Sequence, residues 1–333
     1  MTRRDFAGAV AATAMQPARR SGLGLSPDCF VIARPPRNAL DYLDKARSAG
    51  AAGVQSTLSS FDPAYLRQVR DYLERHGMYL EIATRLPGED VSEFEATLKA
   101  AKECGAECIR TVCLSGRRYE TFGTLDEWNA FVAESKRKLG RAIQIAERVK
   151  FAIGLENHKD WTIEEMVPLL KSYSSAYLGA CIDFGNNLAL LDSPEELVEA
   201  LAPFVVNTHI KDIAVREYAD GFLMAEVALG TGIVDLARCV SVIRKVKPRA
   251  RFSLDMLTRD PLEIPCLTDK YWVTFPEAKV QRLTRALNYV RRRGSPHQLA
   301  AVSSMDGESQ LKAELGNVTH SVAYARDSLG IYN

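Results

Sequence analysis

A chain of 333 residues, 47% hydrophobic and 26% charged, can bury a large core, enough for one α/β barrel or two smaller domains. Its 43 Lys and Arg nearly balance 42 Asp and Glu, which leaves no overall field to attract nucleic acid or an anionic membrane. No apolar run approaches the roughly 18–20 residues a bilayer span requires, so no membrane-spanning helix is expected.

In chain order, "MTRRDFAGAVAATAMQPA" comes first. Arg3-Arg4 precede Phe6 and a weakly apolar run, Ala7–Met15, a pattern that resembles a twin-arginine export signal. Export to the periplasm is expected on that reading, and a cytoplasmic location if residues 1–25 are only an N-terminal arm. Either way 1–25 stand outside the fold, 26–293 form one domain, and 294–333 are a linker and a last helix.

From residue 28 onward, strand-like runs alternate with amphipathic helical ones. The strands are "CFVIAR" (29–34), "GVQSTL" (53–58), "MYLEIAT" (78–84), "CIRTVCL" (108–114), "FAIGLEN" (151–157), "LGACIDF" (178–184), "FVVNTHI" (204–210) and "RFSLDML" (251–257). The helical patterns cover 38–49, 63–76, 91–104, 124–149, 162–172, 194–201, 233–246 and 276–293, with Asp62-Pro63 supplying a cap and a first-turn proline. This alternation predicts a (β/α)₈ TIM barrel with a C-terminal helical extension. An open doubly wound sheet fits less well, because no Gly-rich phosphate loop follows the first strand. Two excursions break the repeat, a hairpin turning at Ala219-Asp220-Gly221 and a proline-bearing loop with Tyr271-Trp272. Residues 307–330 read as a final helix packed on the barrel exterior through Leu311, Leu315, Val318 and Val322. Cys104, Cys108 and Cys113 have a zinc-like spacing, but Cys108 and Cys113 fall at opposite strand parity, so buried free thiols are expected.

The chemistry-bearing residues collect at the ends of the later strands. Strand five ends in Glu156, Asn157 and His158, strand six in Asp183 to Asn187, strand seven in His209, Lys211 and Asp212, and strand eight carries Asp255. Each of these four strands delivers one carboxylate or imidazole at a similar depth, on the face where barrels build their sites. Three carboxylates and a histidine around one point make a mainly oxygen site for a divalent cation. Mn²⁺ or Mg²⁺ suits it best, with Co²⁺ or Zn²⁺ as alternatives. Without a cation, buried carboxylates so placed repel one another.

The order "GLENH" (154–158), "CIDFGN" (181–186), "THIKD" (208–212), "LGTGIVD" (229–235) and "SLDM" (253–256) resembles the xylose-isomerase-like barrels, which include sugar phosphate isomerases and epimerases. The resemblance covers residues 28–293. It implies a metal held by Glu156, Asp183, His209 and Asp255, the last replacing the Glu usual in ketose epimerases. Asn186 stands where those epimerases often carry a substrate-binding His. The resemblance also implies a small-molecule carbohydrate substrate and a homo-oligomer formed through the loops around the site.

A metal-dependent sugar isomerase or epimerase working through an enediolate is the leading expectation. Glu156 and Asp255 are the candidate catalytic bases on opposite faces of the substrate carbon. If Asp255 is only a ligand, His158 or Glu156 moves the proton, which suits isomerisation or β-elimination; His158 has a second reading as a group orienting a ligand. Asn186, Lys211, Arg216, Arg259, Tyr271 and Trp272 are candidate substrate-binding residues, with a salt bridge to Asp212 as the other role for Lys211. Gly230-Thr231-Gly232 reads as a tight turn before Asp235 and not as a phosphate loop. Other classes considered are a lyase or dehydratase cleaving an oxidised sugar such as a 3-keto-glycoside, a non-catalytic sugar-binding barrel, and an apurinic-site endonuclease. The endonuclease needs a histidine-rich three-zinc centre, and five histidines with a balanced charge argue against it.

Overall fold

A computed structural model describes residues 21–275 and 279–332. The Arg3-Arg4 segment and the start of the 276–293 helix lie outside the described residues. Eight parallel strands close a barrel: β1 (Leu23–Leu25), β2 (Gly53–Ser56), β3 (Tyr79–Ala83), β4 (Ile109–Thr111), β5 (Ile153–Glu156), β6 (Leu178–Asp183), β7 (Val205–Ile210) and, after an inserted hairpin, β10 (Phe252–Leu254). The hairpin, β8 (Asp212–Tyr218) and β9 (Gly221–Val227), turns at Ala219-Asp220 as expected and gains a third strand, β11 (Leu262–Ile264).

Helices α1 (Ala39–Ser48), α2 (Pro63–His76), α3 (Ser92–Glu103), α5 (Leu125–Val149), α6 (Ile163–Tyr173), α7 (Pro194–Leu201) and α8 (Leu236–Val246) follow their strands, with a single turn, α4 (Arg118–Thr121), ahead of α5. Their ends obey local chemistry. Asp62 accepts from the Ala64 and Tyr65 amides ahead of α2, Gly77 ends that helix in the left-handed region, and Thr124 and Glu127 cap each other reciprocally at α5. Among the described residues no helix is long and apolar enough to cross a membrane. All seven cysteines are free, and Cys104 and Cys108 are buried.

The barrel closes differently from the expectation at its seam. Its first strand is the three-residue "LGL" of β1, upstream of the run 29–34. That run opens on Pro27 as a 3-10 turn over Pro27–Phe30 and then bends. The amides of Val31, Ile32 and Ala33 all donate to the carboxylate of Glu314, at 2.8, 2.8 and 2.7 Å, which no strand ladder permits. Glu314 belongs to α10 (Gly307–Asp327), and this helix, rather than α9 (Lys279–Arg293), covers β1. Its buried face is Glu314, Val318, Ser321, Val322 and Ala325; Leu311 and Leu315, placed on that face from sequence, are 37% and 42% exposed. Arg244 of α8 donates to the carbonyls of Leu329 and Gly330, and Gly22 donates to Ile331, so the segment after α10 is tied to the seam.

Helix α9 instead straps the rim. It carries Arg282, Arg285, Arg291, Arg292 and Arg293, and three of them reach carboxylates on other segments: Arg282 to Asp192 and Glu164, Arg291 to Glu217, and Arg293 to Glu195. Arginines so placed find carboxylate partners, two of them in helix first turns, and would find none against the apolar barrel wall.

Glu314→Ala removes the acceptor for three adjacent amides at once. A loss of about 3 kcal/mol is expected from these charge-assisted bonds, with faster amide exchange across α10 and residues 31–33. Urea midpoints with hydrogen exchange measure it, and an unchanged midpoint would show that α10 docks without this carboxylate.

Candidate metal centre and its cavity

In the parallel register Glu156 pairs with Cys181, Asp183 with His209, and Ser253 with His209. Same-parity side chains therefore converge inside the barrel at the carboxyl ends of the strands. Ligand atoms of Glu156, Asp183, His209 and Asp255 lie within 4.8 Å of one another. His209 Nδ1 stands 3.5 Å from Glu156 Oε2, 3.8 Å from Asp183 Oδ2 and 4.0 Å from Asp255 Oδ2.

Two of these atoms, Asp183 Oδ2 and His209 Nδ1, are buried and make no hydrogen bond. Lys211 Nζ lies 3.3 Å from Asp183 Oδ2 as an ion pair without hydrogen-bond direction. Buried polar atoms without partners are rare, and a pair aimed at one point fits a cation. The donor set, three carboxylates and one imidazole, suits a hard or borderline divalent ion. The four residues fit that group.

Each ligand is oriented by a neighbour. Asp183 Oδ1 accepts from the amides of Gly185 and Asn186, which leaves Oδ2 for the centre. Asn157 brackets the same strand end, accepting from the Asp183 amide and donating to its carbonyl. His209 Nε2–H donates to Gln55 Oε1 at 3.1 Å. The Gln55 amide is itself fixed, because its Nε2 donates to Glu81 Oε2. Nδ1 therefore faces the other ligands. Burial works against a charged ring, but Cys181 and Glu156 outweigh it and hold the ring's pKa well above its ordinary value, and a cation bound there would take the place of the Nδ1 proton. Gln55→Ala should cost roughly 10–100-fold in Mn²⁺ affinity by calorimetry. An unchanged affinity would show that this hydrogen bond does not hold the ring.

Two cations share the centre. Arg110 of β4 contacts Glu156 Oε2, and Lys211 Nζ sits 2.6 Å from Asp255 Oδ2. Burial works against the charge on Glu156, but Arg110 and His209 outweigh it and hold its pKa well below the usual carboxylate range. For Asp255, burial is outweighed by Lys211 and His209 with the same result. Asp183 has less help, and burial pushes it up to about 6.

Beside the ligands lies a cavity of about 320 Å³, a size that takes a monosaccharide. Its lining includes His158, Lys159, Lys211, Asp255, Glu226, Arg259, Asp28 and, from the loop before and within α4, Arg117 and Glu120. His158 Nδ1 is 3.0 Å from the Leu114 carbonyl, an acceptor only, so Nδ1 carries the hydrogen and Nε2 the lone pair. Burial lowers its pKa to about 4, so the ring is neutral near pH 7. Asp160 holds this loop by accepting from the His158, Trp161 and Leu114 amides.

The expected substrate-binding residues divide. Lys211 and Arg259 line the cavity; Lys211 pairs with Asp255 and Asp183 rather than Asp212, whose carboxylate accepts from Gly230, Gly232 and Val234 and shapes the turn before Asp235. A Cβ at Gly232 would overlap the Asp212 carboxylate, which is why that turn needs glycine. Asn186 is fully buried: it donates to Glu156 Oε1 and accepts from Lys159 and Lys211, so it positions a ligand. Tyr271 and Trp272 are buried in the rim, their polar hydrogens going to the Ala189 and Cys266 carbonyls. Arg216 pairs with Leu223 on the hairpin face opposite Glu226, which pairs with Ile213.

Sequence reasoning missed Gln55, Glu81, Arg110, Lys159 and Glu226. A signal existed for the first three: each is the longest polar side chain of its barrel strand. Lys159 and Glu226 sit in a loop and a hairpin, where parity carries no such information.

The fold and centre define a (β/α)₈ barrel with a four-residue metal-type site at the carboxyl rim. The chain belongs to the xylose isomerase-like TIM barrel family, whose model matches residues 43–272. The 3-oxo-isoapionate decarboxylase of Pectobacterium atrosepticum is 28% identical over 215 residues, 63% of this chain and 74% of that protein. Among solved structures, 3-keto-D-glucoside 4-epimerase YcjR of E. coli aligns with a TM-score of 0.55 at 13% identity, covering 82% of this chain and 99% of that one. A xylose isomerase-like TIM barrel protein of Mycobacterium smegmatis in complex with magnesium aligns with a TM-score of 0.55 at 18% identity, covering 80% and 98%. The two structural likenesses speak for the fold alone.

Proposed function

We propose that the protein is a divalent-metal-dependent lyase acting on an oxidised sugar, with sugar isomerisation or epimerisation as the second reading. The observation that carries it is the state of the two carboxylates an epimerase would use as opposed bases. Glu156 is held by Arg110 and Asn186, and Asp255 by Lys211 and, at Oδ1, by the Ser26 hydroxyl at 2.9 Å. Neither keeps a free, basic oxygen for proton abstraction. Glu156, Asp183, His209 and Asp255 would hold a cation that polarises the sugar carbonyl, so that the carbonyl oxygen could take up the negative charge left when a neighbouring bond breaks. Lys211 and Lys159 stand beside that position as ammonium groups able to hold developing negative charge or return a proton. The similarity to a decarboxylase of a 3-oxo sugar acid supports the same reading.

The second reading rests on His158, whose Nε2 lone pair belongs to a neutral ring lining the cavity. One base is enough for isomerisation. The two are separated by incubating the Mn²⁺-loaded protein in D₂O with a 3-keto-glucoside and with a 3-oxo sugar acid. CO₂ release from the sugar acid is expected, and aglycone release would need His158 to take the C2 proton; deuterium entering an uncleaved sugar would favour the isomerase instead.

A further inference from the structure

Lys159 is a non-glycine residue at φ 62, in the left-handed region that favours glycine, and its side chain is 4% exposed. Such strain persists only where the surroundings hold it in place. Its amine enters the cavity and donates to Asn186 Oδ1, the oxygen that Lys211 also reaches, at 3.2 Å. Two buried amines thus converge on one neutral acceptor. Lys211 is matched by Asp255, whereas among the described residues no carboxylate forms an ion pair with Lys159. Burial, then repulsion from Lys211, lower the Lys159 pKa to about 8, which leaves it charged near pH 7.

The other charges of the cavity are accounted for in pairs. Arg117 meets Glu120, and Arg259 meets Glu226. At the centre, Arg110 contacts Glu156, and Lys211 lies within ion-pair reach of both Asp255 and Asp183. A divalent ion added there gives the buried cluster a positive excess, Lys159 enlarges it, and an ionised Asp28 does not cancel it. Uncompensated charge in a buried site is unfavourable, so the site calls for an anion that the protein does not supply.

We propose that the substrate is an anionic sugar, specifically one bearing a carboxylate, and that Lys159 is the residue that receives that carboxylate. This rests on the metal-centred reading above. A single unmatched ammonium suits a monoanion better than a phosphate dianion, which ordinarily draws several donors.

The test is calorimetric titration of the Mn²⁺-loaded protein with gluconate, with sorbitol, its uncharged counterpart, and with sorbitol 6-phosphate. Gluconate is expected to bind at least tenfold more tightly than either. In Lys159→Gln the preference over sorbitol should fall to threefold or less, and Lys159→Arg should recover part of it. The Gln variant keeps the left-handed backbone, and its melting temperature reports whether the fold is intact. Equal affinity for gluconate and sorbitol, a preference that survives Lys159→Gln, or tighter binding of sorbitol 6-phosphate than of gluconate would each overturn the assignment while leaving the metal centre standing. Failure of Mn²⁺ to bind would overturn the metal-centred reading and this one with it.

Discussion

Asp183→Asn should abolish metal binding while leaving the metal-free protein as stable as the wild type or more so. Asn keeps an oxygen for the Gly185 and Asn186 amides, so the turn after β6 retains its cap. What disappears is the buried Oδ2, which makes no hydrogen bond and belongs to a carboxylate that burial pushes up to about 6. An acid whose folded pKa is raised costs stability above that pKa, so its neutral replacement should stabilise the metal-free fold by up to about 2 kcal/mol at pH 7.5. The metal response runs the other way. Wild-type protein in Mn²⁺ at a hundred times the dissociation constant should gain about 2.7 kcal/mol, and the variant none. Melting curves with and without Mn²⁺ read both signs together. A variant that still binds Mn²⁺ within tenfold of wild type would place the centre elsewhere.

A comparable loss of stability is expected at Arg118, the bulkiest fully buried side chain among the described residues, 1% exposed. Its guanidinium carbon lies 3.7 Å from the Trp128 ring centroid and 4.1 Å from that of Phe275. Its nitrogens reach Glu165 at 2.6 Å, the Thr274 hydroxyl and carbonyl, and the Asp160 carbonyl. One side chain therefore joins α4, α5, α6 and the loop before α9. Arg118→Ala strips the cation–π contacts and orphans two carbonyls, an expected loss of about 3 kcal/mol. The Arg118 amide also donates to the Lys159 carbonyl, so residues 114–122 and 157–160 should exchange their amides faster as well. Arg118→Met, which refills the slot between the rings, should recover part of the loss. A midpoint change below about 1 kcal/mol for Arg118→Ala would mean that the rim holds without this residue.

The repeat was legible because its signals are local. The cap and first-turn proline at Asp62-Pro63 and the alternation of strand-like and helical runs needed no tertiary knowledge, and the four candidate ligands followed from their common depth at strand ends. Tyr271 and Trp272 lie buried in the rim outside the cavity lining, a placement the sequence does not show because a loop aromatic looks alike whether it faces a ligand or seals a rim. The run 29–34 misled for a related reason: five apolar or small residues satisfy a strand pattern, while the partner that decides otherwise, Glu314, lies far along the chain. The counter-cations Arg110 and Lys211 changed the chemistry most. Which carboxylate each would meet depends on the register between strands, and one sequence does not print that register.

The seam formed by β1 and α10 also sets an order of events. β1 is three residues long, bonded to β2 and β10, and its outer cover comes from the opposite end of the sequence. During synthesis the barrel can pair β2 through β7 locally, but its closing strand stays uncovered until the ribosome has released α10. Contacts of such sequence separation are slow to form and leave apolar surface open meanwhile. Refolding should therefore show a late phase in which α10 docks, and a nascent chain halted before residue 307 should carry an open barrel edge that chaperones bind.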